Sequence, residues 1–169
     1  LTGLPNRDYL HEQAAHAILN ATVQKQHLAF LLMDLNRFKE VNDTLGHSIG
    51  DHLLKLLAAR LLAVLQPLGA MPYRLGGDEF GIVIRDASDK SAVDELARKV
   101  ISSLSQPYDI NSNTLYVGAS VGSAIGPRDG KTVEEIMRNS DLALYRAKDE
   151  GGGEHCQYEP KLHAHAEER

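Results

Sequence analysis

The sequence has only one cysteine in 169 residues, Cys156, so it can form no internal disulfide and fits a reducing compartment. It also lacks a long hydrophobic run. The strongest apolar stretches are 28–33 and 53–65, and Lys55 and Arg60 break the second. Neither approaches the roughly 20 residues that span a bilayer, so no direct membrane contact is expected. No secretory leader pattern opens the chain, which fits a cytoplasmic domain. Positive charge is in short supply: 18 Lys+Arg against 23 Asp+Glu leave a net charge of -5. That balance argues against broad nucleic-acid binding, which needs a basic surface to replace phosphate counterions. There is no internal repeat, low-complexity tract or Gly/Ser/Pro linker, and the length favours one domain with its own core. The first residue is Leu1 rather than Met, which predicts a piece of a longer protein. Phosphate chemistry in such a chain requires a metal or a few placed cations.

What is present reads as alternating helices and strands. Asn6 can cap a helix to about Gln24, with Leu10, Ala14, Ala17, Ile18 and Ala21 on one face. The apolar run Leu28–Leu35 is too short for a typical helix and predicts a buried strand ending at Asp34. A short helix over Arg37–Thr44, a break at Gly46–Gly50 and an apolar helix over Asp51–Gln66 follow. Met71–Leu75 and Glu79–Arg85 form a hairpin through Gly76, Gly77 and Asp78. A helix over Asp89–Ser105 precedes a second expected hairpin, Tyr108–Ile110 with Thr114–Ile125. Thr132 can cap a last long helix to about Glu150, followed by an edge strand at His155–Tyr158 and a polar tail, helical over Lys161–Arg169. The order predicts an α+β, ferredoxin-like split-βαβ sandwich: a mostly antiparallel sheet flanked by helices, with an extra hairpin. The domain is expected over 1–159, with 160–169 as a linker helix or tail.

Chemistry concentrates at the strand ends. A carboxylate such as Asp34 at the end of an apolar strand must face solvent, find a partner or bind a metal. Asp78 and Glu79 sit at a glycine-rich tip, where two adjacent acids repel and the glycines allow close backbone approach. If those strands are neighbours, Asp34, Asp78 and Glu79 form an oxygen-ligand cluster of the kind magnesium uses with substrate phosphates. The same residues also describe a solvated turn. Between them, the amides at the start of the short helix and Lys39 could cradle a triphosphate. Equally, Phe38 and Val41 could be core, with Lys39 and Glu40 on the surface.

These segments resemble a known family. Asp34-Leu35-Asn36-Arg37-Phe38-Lys39-Glu40-Val41-Asn42-Asp43, then Gly50-Asp51, then Arg74-Leu75-Gly76-Gly77-Asp78-Glu79-Phe80 are similar to the GGDEF domain of diguanylate cyclases. The opening Leu1-Thr2-Gly3-Leu4-Pro5-Asn6-Arg7 and the later Ala119-Ser120-Val121-Gly122 and Tyr145-Arg146-Ala147-Lys148 match it too. The resemblance, which runs from residue 1 to about 159, implies a polymerase-palm-like fold and a magnesium-dependent reaction, with manganese as an alternative. In it, two GTP condense to cyclic di-GMP with release of two pyrophosphates. The resemblance makes Asp34, the Leu35 carbonyl and Asp78 metal ligands, with Glu79 a further acid at the same ions. It makes Asp78 the base for the 3′-hydroxyl and Lys39 the transition-state stabiliser. The Phe38 and Lys39 amides become the phosphate cradle, with Lys148 also on phosphate. Asn42 and Asp51 become guanine readers, with His47 in the same pocket. A second GGDEF domain must face the first, so homodimerisation belongs to the implied mechanism.

Three departures stand out. Four residues beyond Lys148, where the family usually has a phosphate-gripping arginine, stands Gly152. Losing one charged hydrogen bond costs on the order of 1.5–3 kcal/mol, or roughly 10- to 150-fold in binding or rate. The family's product-inhibition motif, Arg-x-x-Asp, falls on Pro67-Leu68-Gly69-Ala70, so no feedback through that site is expected. Asn36 stands where a second aspartate is common. The tail 158–169 resembles the helix leading into an EAL phosphodiesterase domain, which implies a fused sensor or EAL partner and a competing role as a GTP-sensing regulator. His163 and His165 read as a flexible polar tail rather than a metal site, and Cys156 as a strand residue rather than a nucleophile.

Overall fold

The computed structural model describes residues 2–87 and 89–163. Its elements are α1 (Arg7–Gln24), β1 (Leu28–Asn36), α2 (Phe38–Leu45), α3 (His47–Leu65), β2 (Met71–Gly76), β3 (Glu79–Arg85), α4 (Lys90–Leu104), β4 (Tyr108–Ile110), β5 (Asn113–Leu115), β6 (Gly118–Gly126), α5 (Val133–Asp149) and β7 (His155–Gln157). The main sheet runs β2-β3-β1-β6-β7, antiparallel at every junction except the parallel β6–β7 pair. This is the expected α+β sandwich, and β1 lies at its centre.

β1 is buried on both faces, which is why its sequence is an unbroken apolar run rather than an alternating one. Ala29, Leu31, Met33 and Leu35 pack with α3 and α4, through residues such as Leu57, Leu61, Ala97 and Val100. Leu28, Phe30 and Leu32 face the opposite way, onto Leu10, Ala14 and Ile18 of α1 and Ile136 and Leu144 of α5. Asn6 caps α1 as expected, its Oδ1 accepting from the Tyr9 N–H at 3.0 Å. α5 lies directly on β6: a β-carbon at Gly122 would stand 2.1 Å from the Leu144 backbone nitrogen.

Two expectations need correction. The helix after the first short one begins at His47, not Asp51, and only Gly46 interrupts the chain, at φ 95°. Gly50 lies inside α3, where its missing side chain admits the Asn42 amide: a β-carbon there would sit 1.8 Å from Asn42 Oδ1. The run Thr114–Ile125 is not one strand. β5 pairs only with β4 in a separate two-stranded sheet, and β6 begins at Gly118 in the main sheet. Residues 160–163 are docked: Leu162 is buried against Ala124, Ala143 and Tyr158, and the His163 ring meets the Tyr158 hydroxyl at 2.8 Å, while the rest of the helical tail expected over Lys161–Arg169 lies outside the described residues. His165 lies outside the described residues.

Candidate functional site

The central strand delivers Asp34 to its C-terminal end, next to the β2–β3 tip. In the β1–β3 register Asp34 stands opposite Glu79, and the Leu35 N–H donates to the Asp78 carbonyl at 3.1 Å. Gly76 (φ 151°) and Gly77 (φ 48°) make this turn possible, and Arg74 Nη2 donates to the Gly77 carbonyl at 3.0 Å.

Asp34 and Asp78 lie close enough for each carboxylate to act on the other. Burial, then the neighbouring Asp34 carboxylate, pushes the Asp78 carboxyl above the usual carboxylate range. Asp34 Oδ2 is met by the Lys148 ammonium from the last turn of α5. Asp34 Oδ1 is buried and has no hydrogen-bond partner. Glu79 Oε1 pairs with Arg7 Nη2 at 3.1 Å. Burial raises the Glu79 pKa, and the Arg7 charge only partly offsets it. Among the described residues no three Asp, Glu, His or Cys side chains gather as a metal cage. Of the three acids expected at one site, Asp34 and Asp78 act on one another, while Glu79, opposite Asp34 in the register, is paired with Arg7.

A pair suffices for magnesium, which commonly takes one or two protein carboxylates and completes its shell with water and phosphate oxygens. The donor set is all oxygen, and the orphaned Asp34 Oδ1 is a buried acceptor lacking a cation. These residues fit the ion that the sequence implies.

Beyond Asp34 the chain turns through Arg37, held in the left-handed region at φ 68°, into α2. No side chain caps that helix, so the first N–H groups of Phe38 and Lys39 remain open to an anion. Phe38 and Val41 are core, while Lys39 is exposed and makes no ion pair among the described residues. Asn42 packs on Gly50, the residue before Asp51; His47, at the start of α3, is exposed like Asp51.

The glycine loop 151–153 closes the far side. All three residues have positive φ, and the Gly153 N–H donates to Ser120 Oγ at 3.1 Å, while that hydroxyl reaches Asn36 Oδ1 at 3.3 Å. The site thus has no cation at position 152; Asn36 lies against that glycine instead.

Sequence reasoning missed two features. The Arg7–Glu79 pair joins residues with no local pattern linking them. A buried relay, Ser123 Oγ to His155 Nε2 at 2.7 Å and His155 Nδ1 to Asp94 Oδ1 at 2.7 Å, ties β6, β7 and α4 together. It has the residue types of a hydrolytic triad, but Ser123 is only 1% exposed, so no substrate reaches it. Burial raises the Cys156 thiol to about 11, consistent with an inert strand residue.

Comparison with known proteins shows the family and the fold. The family model described as "Diguanylate cyclase, GGDEF domain" matches residues 1–154. The bifunctional diguanylate cyclase/cyclic di-GMP phosphodiesterase MucR of Pseudomonas aeruginosa is 41% identical over 169 residues, covering 100% of this chain and 24% of that protein. The cyclic di-GMP phosphodiesterase PdeR of Escherichia coli is 36% identical, covering 96% of this chain and 24% of its own length. The crystallised GGDEF domain of TpbB (YfiN) from Pseudomonas aeruginosa superposes with a TM-score of 0.93 at 29% identity, covering 98% of this chain and 96% of that one. The chain spans about a quarter of the length of the two curated relatives. No helix among the described residues is long and apolar enough to cross a membrane.

Proposed function

The chain belongs to the GGDEF domain family of diguanylate cyclases, and from that premise we propose that it condenses two GTP into cyclic di-GMP with release of two pyrophosphates. The observation that carries this reading is the Asp34–Asp78 pair with its orphaned Asp34 oxygen, set beside the uncapped start of α2. Asp34, the Leu35 carbonyl and Asp78 would hold Mg²⁺ or Mn²⁺, with Glu79 as a nearby acid. When bound, the metal makes the attacking 3′-hydroxyl more acidic and neutralises charge on the departing pyrophosphate.

The chain's own groups do the rest. Asp78, at the tip of the β2–β3 turn, takes the 3′-hydroxyl proton. The Phe38 and Lys39 amides, the Lys39 ammonium and Lys148 bind phosphate. Asp51 accepts from guanine N1–H and N2–H, a donor pair that adenine lacks, and Asn42 and His47 line the same face. Each domain holds one GTP, so two must face each other for the 3′-hydroxyl of one nucleotide to reach the α-phosphate of the other. The domain works in the cytoplasm as part of a longer protein with a fused sensor or EAL domain. Pro67-Leu68-Gly69-Ala70 offers no charged group to cyclic di-GMP, so turnover continues without feedback at that position.

Incubation of the domain with GTP and Mg²⁺, followed by chromatography, tests the proposal. Cyclic di-GMP made by the native domain and lost in Asp78→Ala supports it. GTP bound without product at high protein concentration replaces it with a second reading, a GTP-binding regulatory domain of a phosphodiesterase. Gly152 is the observation favouring that alternative, since the chain offers phosphate one cation fewer than the family pattern.

A further inference from the structure

Lys148 stands within reach of two anions, the Asp34 carboxylate and the phosphate that the family reading brings to this corner. Its ammonium sits on Asp34 Oδ2, although the family reading assigns it to phosphate. The two basic residues in the last turn of α5 part company here. Arg146 Nε is bound to Glu150 Oε1 at 2.7 Å, while Lys148 crosses to the end of β1.

The carboxylate it reaches is in difficulty. The Asp34 side chain is only 16% exposed, Asp78 lies beside it, and its Oδ1 has no partner. A buried carboxylate oxygen without a hydrogen-bond partner is costly, and a cation set against the two acids offsets that cost. Lys148 supplies one positive charge to one oxygen and leaves the other oxygen orphaned. A divalent ion would supply two charges and could reach both carboxylates. Lysine suits a temporary tenancy: it is a compact point charge on a flexible stem, and its side chain remains 43% exposed and free to swing.

We propose that Lys148 is a cation placeholder that couples metal loading to nucleotide arrival. This rests on the reading of Asp34 and Asp78 as the metal-holding pair of a GTP site. Free metal has to displace the ammonium from Asp34, which weakens its binding. Triphosphate offers Lys148 a second anion, so the displacement costs less when nucleotide is present. Linkage makes the effect reciprocal: metal that frees Lys148 from Asp34 also tightens nucleotide binding.

Lys148→Met keeps most of the stem and removes the charge. Mn²⁺ affinity is read by electron paramagnetic resonance without nucleotide, and affinity for α,β-methylene GTP by calorimetry with saturating Mn²⁺. The proposal expects opposite signs. The variant binds free Mn²⁺ about ten-fold more tightly and the analogue about ten-fold more weakly, each a charge-assisted contact discounted for exposure. Arg146→Met, which removes a cation from the same helix turn without touching Asp34, leaves both affinities within about two-fold. Unchanged or weaker Mn²⁺ binding in Lys148→Met overturns the placeholder while leaving the GTP site standing. A ten-fold gain in Arg146→Met also overturns it, reducing the effect to general charge. If the native domain binds neither Mn²⁺ nor the analogue, the GTP reading itself fails and takes the placeholder with it. Lys148→Gln, monitored by urea denaturation, serves if the methionine variant does not fold.

Discussion

The Asn36 amide lies against Gly152, so that a β-carbon at position 152 would stand 3.2 Å from Asn36 Nδ2. Position 152 also has φ 79°, a conformation that non-glycine residues rarely adopt. Restoring the missing cation with Gly152→Arg therefore carries a structural cost. We expect the variant to lose about 1–2 kcal/mol of stability in urea denaturation, from backbone strain and the Asn36 contact. Adding Asn36→Ala should recover the contact part and not the strain. A Gly152→Arg variant as stable as the native domain would show that the loop tolerates a side chain, and that its glycine has no conformational cause.

A second glycine constrains the core. At Gly122 the added β-carbon would meet the backbone of one turn of α5, Leu144 N at 2.1 Å and Ser140 O at 2.3 Å. Backbone cannot rotate aside as a side chain can, so α5 would have to lift off β6. Gly122→Ala should destabilise by at least about 3 kcal/mol, at the upper end of overpacking costs. The urea midpoint measures this, and a loss under about 1 kcal/mol would refute direct contact between α5 and β6.

The Gly122 contact shows where sequence reading stops. The two-faced apolar run of β1 and the glycine turn beside Asp78 are local patterns, so the sheet's centre and the carboxylate pair were legible. Gly50 was misread as a breaker because glycine serves two purposes that look alike in sequence. It ends helices, and it admits a neighbour's side chain, here the Asn42 amide. The run 114–125 hid a change of sheet because β-propensity carries no record of which partner a strand pairs with. The Arg7–Glu79 pair spans 72 positions and leaves no periodic trace, so it was out of reach.

The His155 relay predicts how stability depends on pH. Burial holds the imidazole below its usual 6.5, outweighing the Asp94 carboxylate. The neutral ring donates Nδ1–H to Asp94 and accepts from the Ser123 hydroxyl. The folded state thus takes up a proton less readily than the unfolded chain. The contribution to stability is complete above 6.5 and is lost as pH falls through the lower folded value. Hydrogen bonds from Arg98 and then His155 hold Asp94 below its ordinary range, so Asp94 stays charged across this window. Urea midpoints from about pH 8 to about pH 5 should decline in the native domain and flatten in His155→Gln. Parallel curves for the two proteins would assign the acid sensitivity to other groups.

The carboxylate pair should cost stability in the service of function. Asp34 and Asp78 share a partly buried corner with one cation, Lys148, which meets only Asp34. Asp78→Asn removes a charge from that corner while keeping an oxygen and nearly the same shape. We therefore expect its Tm to rise at neutral pH, because like-charge repulsion in the folded state is relieved. The same change removes the proposed base, and cyclic di-GMP formation should fall by roughly 10²–10⁴-fold. The two effects arise from one pair, so they can be tested together. In Lys148→Met, where no ammonium offsets the repulsion, Asp78→Asn should stabilise by more than it does in the native background. A double-mutant cycle on Tm isolates that coupling. A lower Tm on Asp78→Asn would mean that the two carboxylates do not burden the fold, and equal gains in the two backgrounds would mean that Lys148 does not offset their repulsion.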